Sequence, residues 1–319
     1  MKVAVIGLGV IGSLHVNILK NFGNEIVGVC DTDEEKLANY SGINQYTDYI
    51  KMLDEQKPEV VHICTPHYLH AEMVIEGLKR NINVLCEKPL CIKKEDIDKI
   101  LEAEEKSSAM LGVCFQNRYN PVSRFVKNYL EGKKIESGVG TVFWERGAEY
   151  YASGPWRGKW DTEGGGVLIN QAIHTLDLIE WLIGEPEYVT ASISNLTLSD
   201  FIEVEDTVSA LFTGEHNFSF FATNGSKNSF PIEITIKTEN DIIRMFENHV
   251  VINGEIKTFE KSEKVNVKEC YGTGHEALID DFYSCIKTGK KFAIDGKEAQ
   301  KAVRLVLGVY ASGRKRIKI

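Results

Sequence analysis

The sequence lacks the features of several broad classes of protein. No apolar run approaches the roughly 18 residues that a membrane helix requires, and the N-terminus itself has the pattern of a core strand rather than of a signal peptide. Basic residues are in deficit, with 37 Lys and Arg against 46 Asp and Glu and a net charge of −9, which disfavours nucleic acid as a partner. The seven cysteines include no C-x-x-C pair and are typical of reduced thiols in a cytoplasmic protein. We therefore expect a cytoplasmic location and no membrane partner.

A chain of 319 residues is long enough for two domains with separate cores. Residues 1–118 alternate short apolar strands with helices, six strands in all, and this alternation predicts a doubly wound α/β domain of the Rossmann type with a parallel sheet. Residues 119–319 carry a helix over about 167–183 and then several runs of alternating, β-branched residues. That pattern predicts an α+β domain with a large, mainly antiparallel, open-faced sheet, with hairpin turns such as Gly214-Glu215 and Asn224-Gly225.

The first strand leads directly into a glycine motif. Gly7, Gly9 and Gly12 follow Val3 to Ile6 as G-x-G-x-x-G, and an amphipathic helix continues from Val10. Such glycines permit a tight turn, close approach of the backbone to a pyrophosphate and close packing of the helix on the strand. The backbone N–H groups at the helix start, around Val10 and Ile11, suit a diphosphate. The motif predicts a dinucleotide-binding site.

A carboxylate at the end of the second strand predicts which dinucleotide binds. Asp31 stands 19 residues after Gly12, where a carboxylate would hold the ribose hydroxyls. It would repel a 2′-phosphate, and Thr32 and Asp33 beside it supply no cation. The sequence therefore favours NAD over NADP, although Asp31 as a simple helix cap remains an alternative.

Ligands of such sheets bind at the carboxyl ends of the strands, which directs attention to the residues after each strand. Thr65 and Pro66 follow the fourth strand, Glu87 and Lys88 the fifth, and Gln116 to Arg118 the sixth. Lys88 follows an apolar strand and precedes a proline, so its amine is a candidate for proton transfer near the nicotinamide. On these residues alone, a surface lysine paired with Glu87 is an equal alternative.

The helix over 167–183 carries three polar residues on one face. Asn170, His174 and Asp177 are spaced i, i+4 and i+7, while the rest of the helix is mostly apolar. This pattern predicts a buried helix whose polar face borders a cavity. Imidazole exchanges protons near neutral pH, so His174 is a second candidate for catalysis, with Asp177 orienting its ring. A core histidine satisfied by Asp177 is the alternative.

The loop before the triple glycine 164–166 combines aromatic and basic residues. Trp156 could stack on a sugar ring, and Arg157 could bind a carboxylate or phosphate. A purely structural loop explains the same residues equally well. No metal is expected, because the one imaginable zinc set, His62, Cys64, His67 and His70, would be scattered by strand alternation and a turn.

Taken in order, these motifs resemble one known family over nearly the whole chain. The elements are Gly7-x-Gly9-x-x-Gly12-x-x-His15, Thr65-Pro66-x3-His70, Glu87-Lys88-Pro89, Gln116-Asn117-Arg118, Gly164-Gly165-Gly166-x3-Asn170-x3-His174-x-x-Asp177 and Gly274-His275-x-x-Leu278-Ile279-x-Asp281-Phe282. They resemble the glucose–fructose oxidoreductase / inositol dehydrogenase / MocA (GFO/IDH/MocA) family. The resemblance implies an NAD(P)-dependent oxidoreductase that acts on a secondary alcohol of a sugar, polyol or sugar derivative, and it implies that Lys88 is the active-site lysine.

The resemblance and the strand ends together define the predicted sites. The residues expected to bind the cofactor are Gly7, Gly9, Val10, Ile11, Gly12, Asp31, Thr65, Pro66, His70, Glu87, Lys88 and Gln116. Those expected to bind substrate are Lys88, Arg118, Trp156, Arg157, Asn170 and His174, with Lys88 and His174 catalytic and meeting at the reactive ring of the dinucleotide.

One position departs from the family pattern. Asn170 stands where inositol-dehydrogenase-like members have an aspartate, and an amide cannot act as a base or supply negative charge. Two other functions remain open on the same scaffold: a redox-neutral, glycosidase-like enzyme that uses transient oxidation by NAD, and a non-catalytic regulator that binds dinucleotide. The protein is expected to form a homodimer or homotetramer through the sheet of its second domain.

Overall fold

The structure is a computed structural model that describes residues 1–259 and 274–319. The chain divides into two compact units. Of the described residues, the first contains 1–115 and 278–300, and the second contains 116–259, 274–277 and 301–319.

The described elements alternate in the first part of the chain and become strand-rich in the second. The helices are α1 (Val10–Asn21), α2 (Glu34–Leu37), α3 (Tyr49–Gln56), α4 (His70–Lys79), α5 (Lys94–Lys106), α6 (Pro121–Tyr129), α7 (Ala148–Ala152), α8 (Ile173–Ile183), α9 (Gly274–Thr288) and α10 (Gly296–Ser312). The strands are β1 (Lys2–Ile6), β2 (Glu25–Cys30), β3 (Asn44–Tyr46), β4 (Val60–Ile63), β5 (Asn83–Glu87), β6 (Leu111–Cys114), β7 (Ile135–Phe143), β8 (Tyr188–Ser194), β9 (Thr207–Thr213), β10 (Phe218–Thr223), β11 (Glu233–Thr238), β12 (Ile242–Met245), β13 (His249–Ile252), β14 (Glu255–Thr258) and β15 (Ile317–Lys318). Among these helices, none has the length and apolar composition that crossing a membrane would require.

The first unit is the predicted doubly wound sheet. Its six strands run parallel in the order β3-β2-β1-β4-β5-β6. β1, β4 and β6 are almost wholly buried, as continuous apolar strands covered on both faces should be. The order reverses between β1 and β4, and a crevice for ligands forms at such a switch point. The prediction of a Rossmann-type sheet is confirmed.

Residues 278–300 belong to the first unit, although the sequence predicts a continuous second domain from residue 119. The physical reason is packing that is distant in sequence. A Cβ at Gly112 of β6 would lie 2.7 Å from the ring of Phe282, so the absent side chain makes room for that ring. The backbone N–H of Val113 also donates to the carbonyl of Ile294 at 3.0 Å.

The second unit contains the predicted, mainly antiparallel sheet. Nine of the described strands follow the order β14-β13-β12-β11-β7-β10-β9-β8-β15, in which β7 and β10 run parallel to each other. The turn at Gly214-Glu215 joins the antiparallel neighbours β9 and β10 as predicted. The prediction of a hairpin at Asn224-Gly225 is wrong, because β7 lies between β10 and β11 and pairs with both.

Helix α8 packs closely on the sheet, and this packing fixes the polar residues that it carries. A Cβ at Gly138 of β7 would lie 2.2 Å from the Cδ1 atom of Ile183, so a larger residue there would displace that side chain. The helix begins with a π-helical turn over Leu168–Ala172, where the sequence predicts regular α-helix. Wide turns of this kind occur frequently at functional sites.

Candidate active site

The glycines of the first loop are required by packing within the first unit. A Cβ at Gly12 would lie 1.8 Å from the carbonyl oxygen of Gly7. Gly7 has a φ of +86°, and a Cβ there would lie 2.5 Å from the carbonyl oxygen of Cys64 at the end of β4. The start of α1 can therefore approach β1 and β4 only with glycine at both positions.

The middle glycine of the motif, Gly9, leaves the start of helix α1 open. Among the described residues, a Cβ at Gly9 would meet no atom within 4 Å, and no side chain caps α1 at this residue. Val10 is 67% exposed, although it is apolar. An uncapped helix start with an open approach and no acidic residue in its first turn fits the diphosphate of a dinucleotide.

Asp31 is held in a defined orientation after β2. Its Oδ2 accepts a hydrogen bond from the Leu8 backbone N–H at 2.7 Å, and its Oδ1 accepts one from the Asp33 N–H at 3.0 Å. A carboxylate fixed beside the glycine loop suits the ribose hydroxyls of NAD. The structure adds a cation that the sequence interpretation missed, because Lys36 Nζ lies 3.7 Å from Asp31 Oδ1.

Lys88 follows β5, and its neighbours on both sides are held by histidines. Glu87 Oε2 accepts from the Lys88 backbone N–H at 3.3 Å, and Glu87 Oε1 lies 3.1 Å from His15 Nε2. His70 Nδ1 lies 2.6 Å from the carbonyl oxygen of Pro89, and its Nε2 lies 2.9 Å from that of Thr65. His70 thus joins the loops that follow β4 and β5, while its predicted contact with cofactor stays a prediction.

Two histidines of the imagined zinc set, His62 and His70, have separate partners. His62 contacts the ring of His15 and the hydroxyl of Tyr283, whereas His70 contacts backbone carbonyls. Burial raises the pKa of the Cys64 and Cys86 thiols well above the ordinary value, which disfavours the thiolate that binds metal or acts as a nucleophile.

In the second unit, His174 borders a small pocket. The pocket lies among α8, the segment 117–123 and the end of β12, and polar side chains from three parts of the chain face it. The polar residues that line it with His174 include Asn117, Asn120, Gln171 and Glu247, and the Trp144 ring also lines it. A largely buried imidazole beside a polar pocket is suited to exchange a proton with a hydroxyl compound.

Asn170 takes part in a cluster that the sequence interpretation did not foresee. Its amide nitrogen donates to the buried carboxylate of Glu163 and, at 3.1 Å, to the hydroxyl of Tyr150. The same hydroxyl accepts from Gln171 Nε2 at 2.8 Å and from Arg157. The position where inositol-dehydrogenase-like sequences have an aspartate is therefore in contact with a carboxylate from another part of the chain.

Arg157 lies between two aromatic rings in this cluster. The centre of its guanidinium is 4.4 Å from the ring centroids of both Tyr150 and Trp156. Its Nη1 is 4.0 Å from Glu163 Oε1, and its buried Nε has no hydrogen-bond partner among the described residues. A stacked guanidinium with a spare N–H group can bind an anionic oxygen of a ligand.

Arg118 and Asp177 form a buried bidentate ion pair. Arg118 Nε donates to Asp177 Oδ2 at 2.8 Å, and its Nη2 donates to Oδ1 at 2.7 Å. Both side chains are almost fully buried. This pairing fixes α8 against the turn after β6. The predicted roles of Arg118 in substrate binding and of Asp177 in orienting His174 remain predictions.

Two further carboxylates stabilise the start of the helix that bears Asn170 and His174. Glu163 accepts from the backbone N–H of Gly158, and Glu205 accepts from those of Gly166 and Leu168 at 2.8 and 3.0 Å. Burial raises the pKa of Glu205 to about 7, although these hydrogen bonds act in the opposite direction. The only local signal was the position of Glu163 directly before the triple glycine.

The remaining predicted site residues lie after the strands or at the helix start, as the sequence predicts. Thr65 and Pro66 follow β4, and Ile11 lies in the first turn of α1. Gln116 begins the turn after β6, and its buried Oε1 has no hydrogen-bond partner among the described residues. Lys88 belongs to the first unit and His174 to the second. Their joint action stays a prediction.

Family models match both parts of the chain. Residues 1–115 match a model described as the oxidoreductase family with an NAD-binding Rossmann fold. Residues 134–255 match the model of the GFO/IDH/MocA C-terminal domain.

Individual relatives point to dehydrogenases. An inositol 2-dehydrogenase of Salmonella paratyphi B is 31% identical over 203 residues, which are 60% of this chain and 57% of that protein. The match thus spans little more than half of the relative's length. Crystal structures of WlbA dehydrogenases in complex with NADH and UDP-GlcNAcA are also similar. The one from Bordetella pertussis is 28% identical, with a TM-score of 0.86, over 100% of this chain and 98% of the other. The one from Chromobacterium violaceum is 29% identical, with a TM-score of 0.87, over 100% and 96%.

Proposed function

Because the chain belongs to the GFO/IDH/MocA family of NAD-binding oxidoreductases, we propose that it is a dehydrogenase that oxidises a secondary alcohol of a sugar derivative with NAD. The observation that carries the proposal is the cluster around Asn170. An amide, a buried carboxylate, a phenol and a guanidinium converge where the helix bearing His174 begins. Such a set offers both donors and acceptors for the hydroxyls of a sugar.

The reaction divides between the cofactor and the side chains. The bound dinucleotide supplies the hydride acceptor for the C–H of the alcohol carbon. The hydroxyl group releases one proton, which either the neutral amine of Lys88 or the neutral imidazole of His174 takes up, while the other group donates a hydrogen bond to the carbonyl oxygen that results. Glu163 keeps the Asn170 amide oriented, so that the carbonyl oxygen of Asn170 faces away from that carboxylate.

The first substrate class to test is a sugar acid linked to a nucleoside diphosphate. The two WlbA dehydrogenases of known structure bind UDP-GlcNAcA, and both align with this chain over its whole length. Arg157 adds an argument from this chain itself, because a stacked guanidinium with an unused N–H suits the carboxylate of such a sugar. Inositols form the second class, given the match to inositol 2-dehydrogenase.

The test measures NADH formation, through the absorbance of NADH, with a panel of substrates. UDP-linked sugar acids, UDP-linked neutral sugars, free sugar acids, free sugars and inositols are each offered with NAD and with NADP. We expect NADH to form with the UDP-linked acid, and an Arg157→Met variant to raise the KM for that acid while leaving the KM for its neutral counterpart unchanged.

The same assay separates the alternatives. Conversion of a glycoside without net NADH, by protein that retains its cofactor, would indicate the redox-neutral reaction. Binding of dinucleotide without conversion of any compound in the panel would indicate a regulator. Either result overturns the proposed dehydrogenase.

We also propose that the protein is a cytoplasmic homodimer or homotetramer that associates through the outer face of its second sheet. Val139, Phe143 and Leu211 are large, apolar and exposed on that face, and Phe221 packs against Phe143. Apolar patches of this kind mark interfaces between subunits. Light scattering of the purified protein measures the mass, and Leu211→Glu is expected to lower it to that of one chain.

A further inference from the structure

A continuous chain of buried hydrogen bonds ends at the residue before Lys88. His15 Nε2 lies 3.1 Å from Glu87 Oε1, and His15 Nδ1 lies 2.8 Å from His62 Nδ1. His62 Nε2 in turn lies 2.9 Å from the hydroxyl oxygen of Tyr283. All four side chains are buried, and none of these contacts enters the proposed reaction.

The chain connects the dinucleotide loop with the strand that carries Lys88. His15 lies one turn after Gly12 on α1, His62 lies in β4 and Glu87 ends β5. Glu87 uses one oxygen for His15 and the other for the backbone N–H of Lys88, at 3.3 Å. A displacement of His15 therefore reaches the backbone of Lys88 through a single carboxylate.

The available protons fix the direction of these bonds. An ionised carboxylate only accepts, so His15 donates from Nε2 to Glu87. If His15 is neutral, its Nδ1 accepts, and His62 donates from Nδ1. His62 Nε2 then accepts the hydroxyl proton of Tyr283. Each ring nitrogen and each of these protons then has a partner within the chain.

The opposite direction leaves a buried group without a partner. It would require His62 to donate from Nε2 and His15 to carry protons on both nitrogens. The Tyr283 hydroxyl proton would then lack an acceptor among the described residues, and a buried unsatisfied donor costs about 1–3 kcal/mol. Burial also lowers the pKa of His62, which favours its neutral form.

We propose that Tyr283 and His62 are positioning residues for Lys88, which keep the proton of His15 on Nε2 and thereby hold Glu87 and the Lys88 backbone in place. The proposal rests on the proposed function only in taking Lys88 as the catalytic lysine. Its geometry is independent of the substrate.

The first measurement is the tautomer of each histidine, read from nitrogen chemical shifts of the NAD-loaded protein labelled in histidine. We expect His62 to carry its proton on Nδ1 and His15 on Nε2. A proton on His62 Nε2, or on both nitrogens of His15, would overturn the proposal. Tyr283→Phe removes only the hydroxyl and is expected to change the tautomer of His62.

The second measurement compares two amides at one position. In His62→Asn the amide nitrogen can replace Nδ1 and still donate to His15, whereas in His62→Gln the amide lies near the former Nε2. We expect His62→Gln and Tyr283→Phe to lower kcat about 10-fold and His62→Asn to lower it less, with the KM for NAD changed less than about 2-fold in all three. Leu53→Ala, a buried substitution in α3, is the control for loss of stability. Equal kcat losses in His62→Asn and His62→Gln would contradict the proposal.

A third measurement does not depend on turnover. Trace acetylation followed by mass spectrometry gives the reactivity of Lys88 relative to Lys93, an exposed lysine of the same unit. We expect His62→Gln and Tyr283→Phe, but not Leu53→Ala, to change this ratio more than about 3-fold. An unchanged reactivity ratio overturns the positioning role. Full turnover by Lys88→Ala overturns the proposed function instead. In that case the tautomers and the reactivity ratio still test whether Tyr283 and His62 position Lys88.

Discussion

The side-chain amide of Asn170 donates a hydrogen bond to the buried carboxylate of Glu163. The pair places a carboxylate beside the position where inositol-dehydrogenase-like sequences carry an aspartate. The carboxylate comes from the loop before the triple glycine, while the helix contributes the amide. The two groups therefore define a hydrogen-bond pattern that an aspartate at residue 170 would not form.

This arrangement predicts the outcome of an exchange of the two groups. Asn170→Asp would place two carboxylates in contact, and adjacent carboxylates do not both ionise readily. Glu163→Gln would remove the charge. We expect each single change to lower kcat on the order of 10²-fold. The double variant Asn170→Asp/Glu163→Gln restores one carboxylate and one amide, and we expect it to recover at least 10-fold over either single variant.

The measurement is kcat for all four proteins with the same substrate. Glu215→Gln, in an exposed turn of the same unit, controls for the loss of a charge at a distance. Strict additivity of the two single losses in the double variant would show that the pair does not act as a unit.

Lys88 is expected to act on the substrate rather than on the cofactor. Lys88→Ala should lower kcat by at least about 10²-fold, because general acid–base catalysis contributes about 10²–10⁴-fold. The affinity for NAD, measured by quenching of protein fluorescence, should change little. Lys93→Ala, at an exposed position five residues later, should behave as the wild type. A parallel loss of NAD affinity in Lys88→Ala would instead indicate a structural role.

Most of the first unit could be predicted from the sequence because its determinants are local. The spacing of Gly7, Gly9 and Gly12 and the apolar strands on either side are read within a few residues. The inclusion of residues 278–300 could not be predicted, since it depends on the fit of Phe282 to Gly112, far apart in the sequence. Lys36 was missed because only the residues directly after Asp31 were considered, whereas the turn of helix α2 brings the Lys36 amine back to Asp31.

In the second unit the helix was predictable, but its partners were not. The apolar pattern of residues 167–183 marks a buried helix, yet periodicity does not reveal its π-helical first turn. Arg118 and Asp177 were both predicted as site residues without any sign that they pair with each other. Glu163 was missed altogether, because its position directly before the triple glycine does not show which groups it contacts once the chain folds.

The choice between NAD and NADP is expected to depend on Asp31. In Asp31→Ala the ribose hydroxyls lose a charged acceptor worth about 1.5–3 kcal/mol, and the repulsion of a 2′-phosphate disappears. We expect kcat/KM for NAD to fall by about 10- to 100-fold and the preference for NAD over NADP to shrink at least as much. Lys36→Ala in the same background tests whether that amine then binds the 2′-phosphate. An unchanged NAD/NADP ratio in Asp31→Ala would assign Asp31 to local structure alone, through its bonds to Leu8 and Asp33.

Glu205 gives the folded protein a specific dependence of stability on pH. Its pKa is raised to about 7 in the folded state, against an ordinary value near 4.5, so the folded state holds its proton more tightly than the unfolded state does. The stabilisation from this group is complete below about pH 4.5 and is lost as the pH rises through about 7, by roughly 3 kcal/mol in all.

The variant Glu205→Gln has no group that ionises at this position. Relative to the wild type, its free energy of unfolding should therefore increase by that amount between pH 4.5 and pH 8. Urea denaturation at each pH measures this difference and cancels the other titrating groups, which both proteins share. A difference that stays constant with pH would mean that Glu205 keeps an ordinary pKa, because its bonds to Gly166, Leu168 and Tyr310 offset the cost of burial.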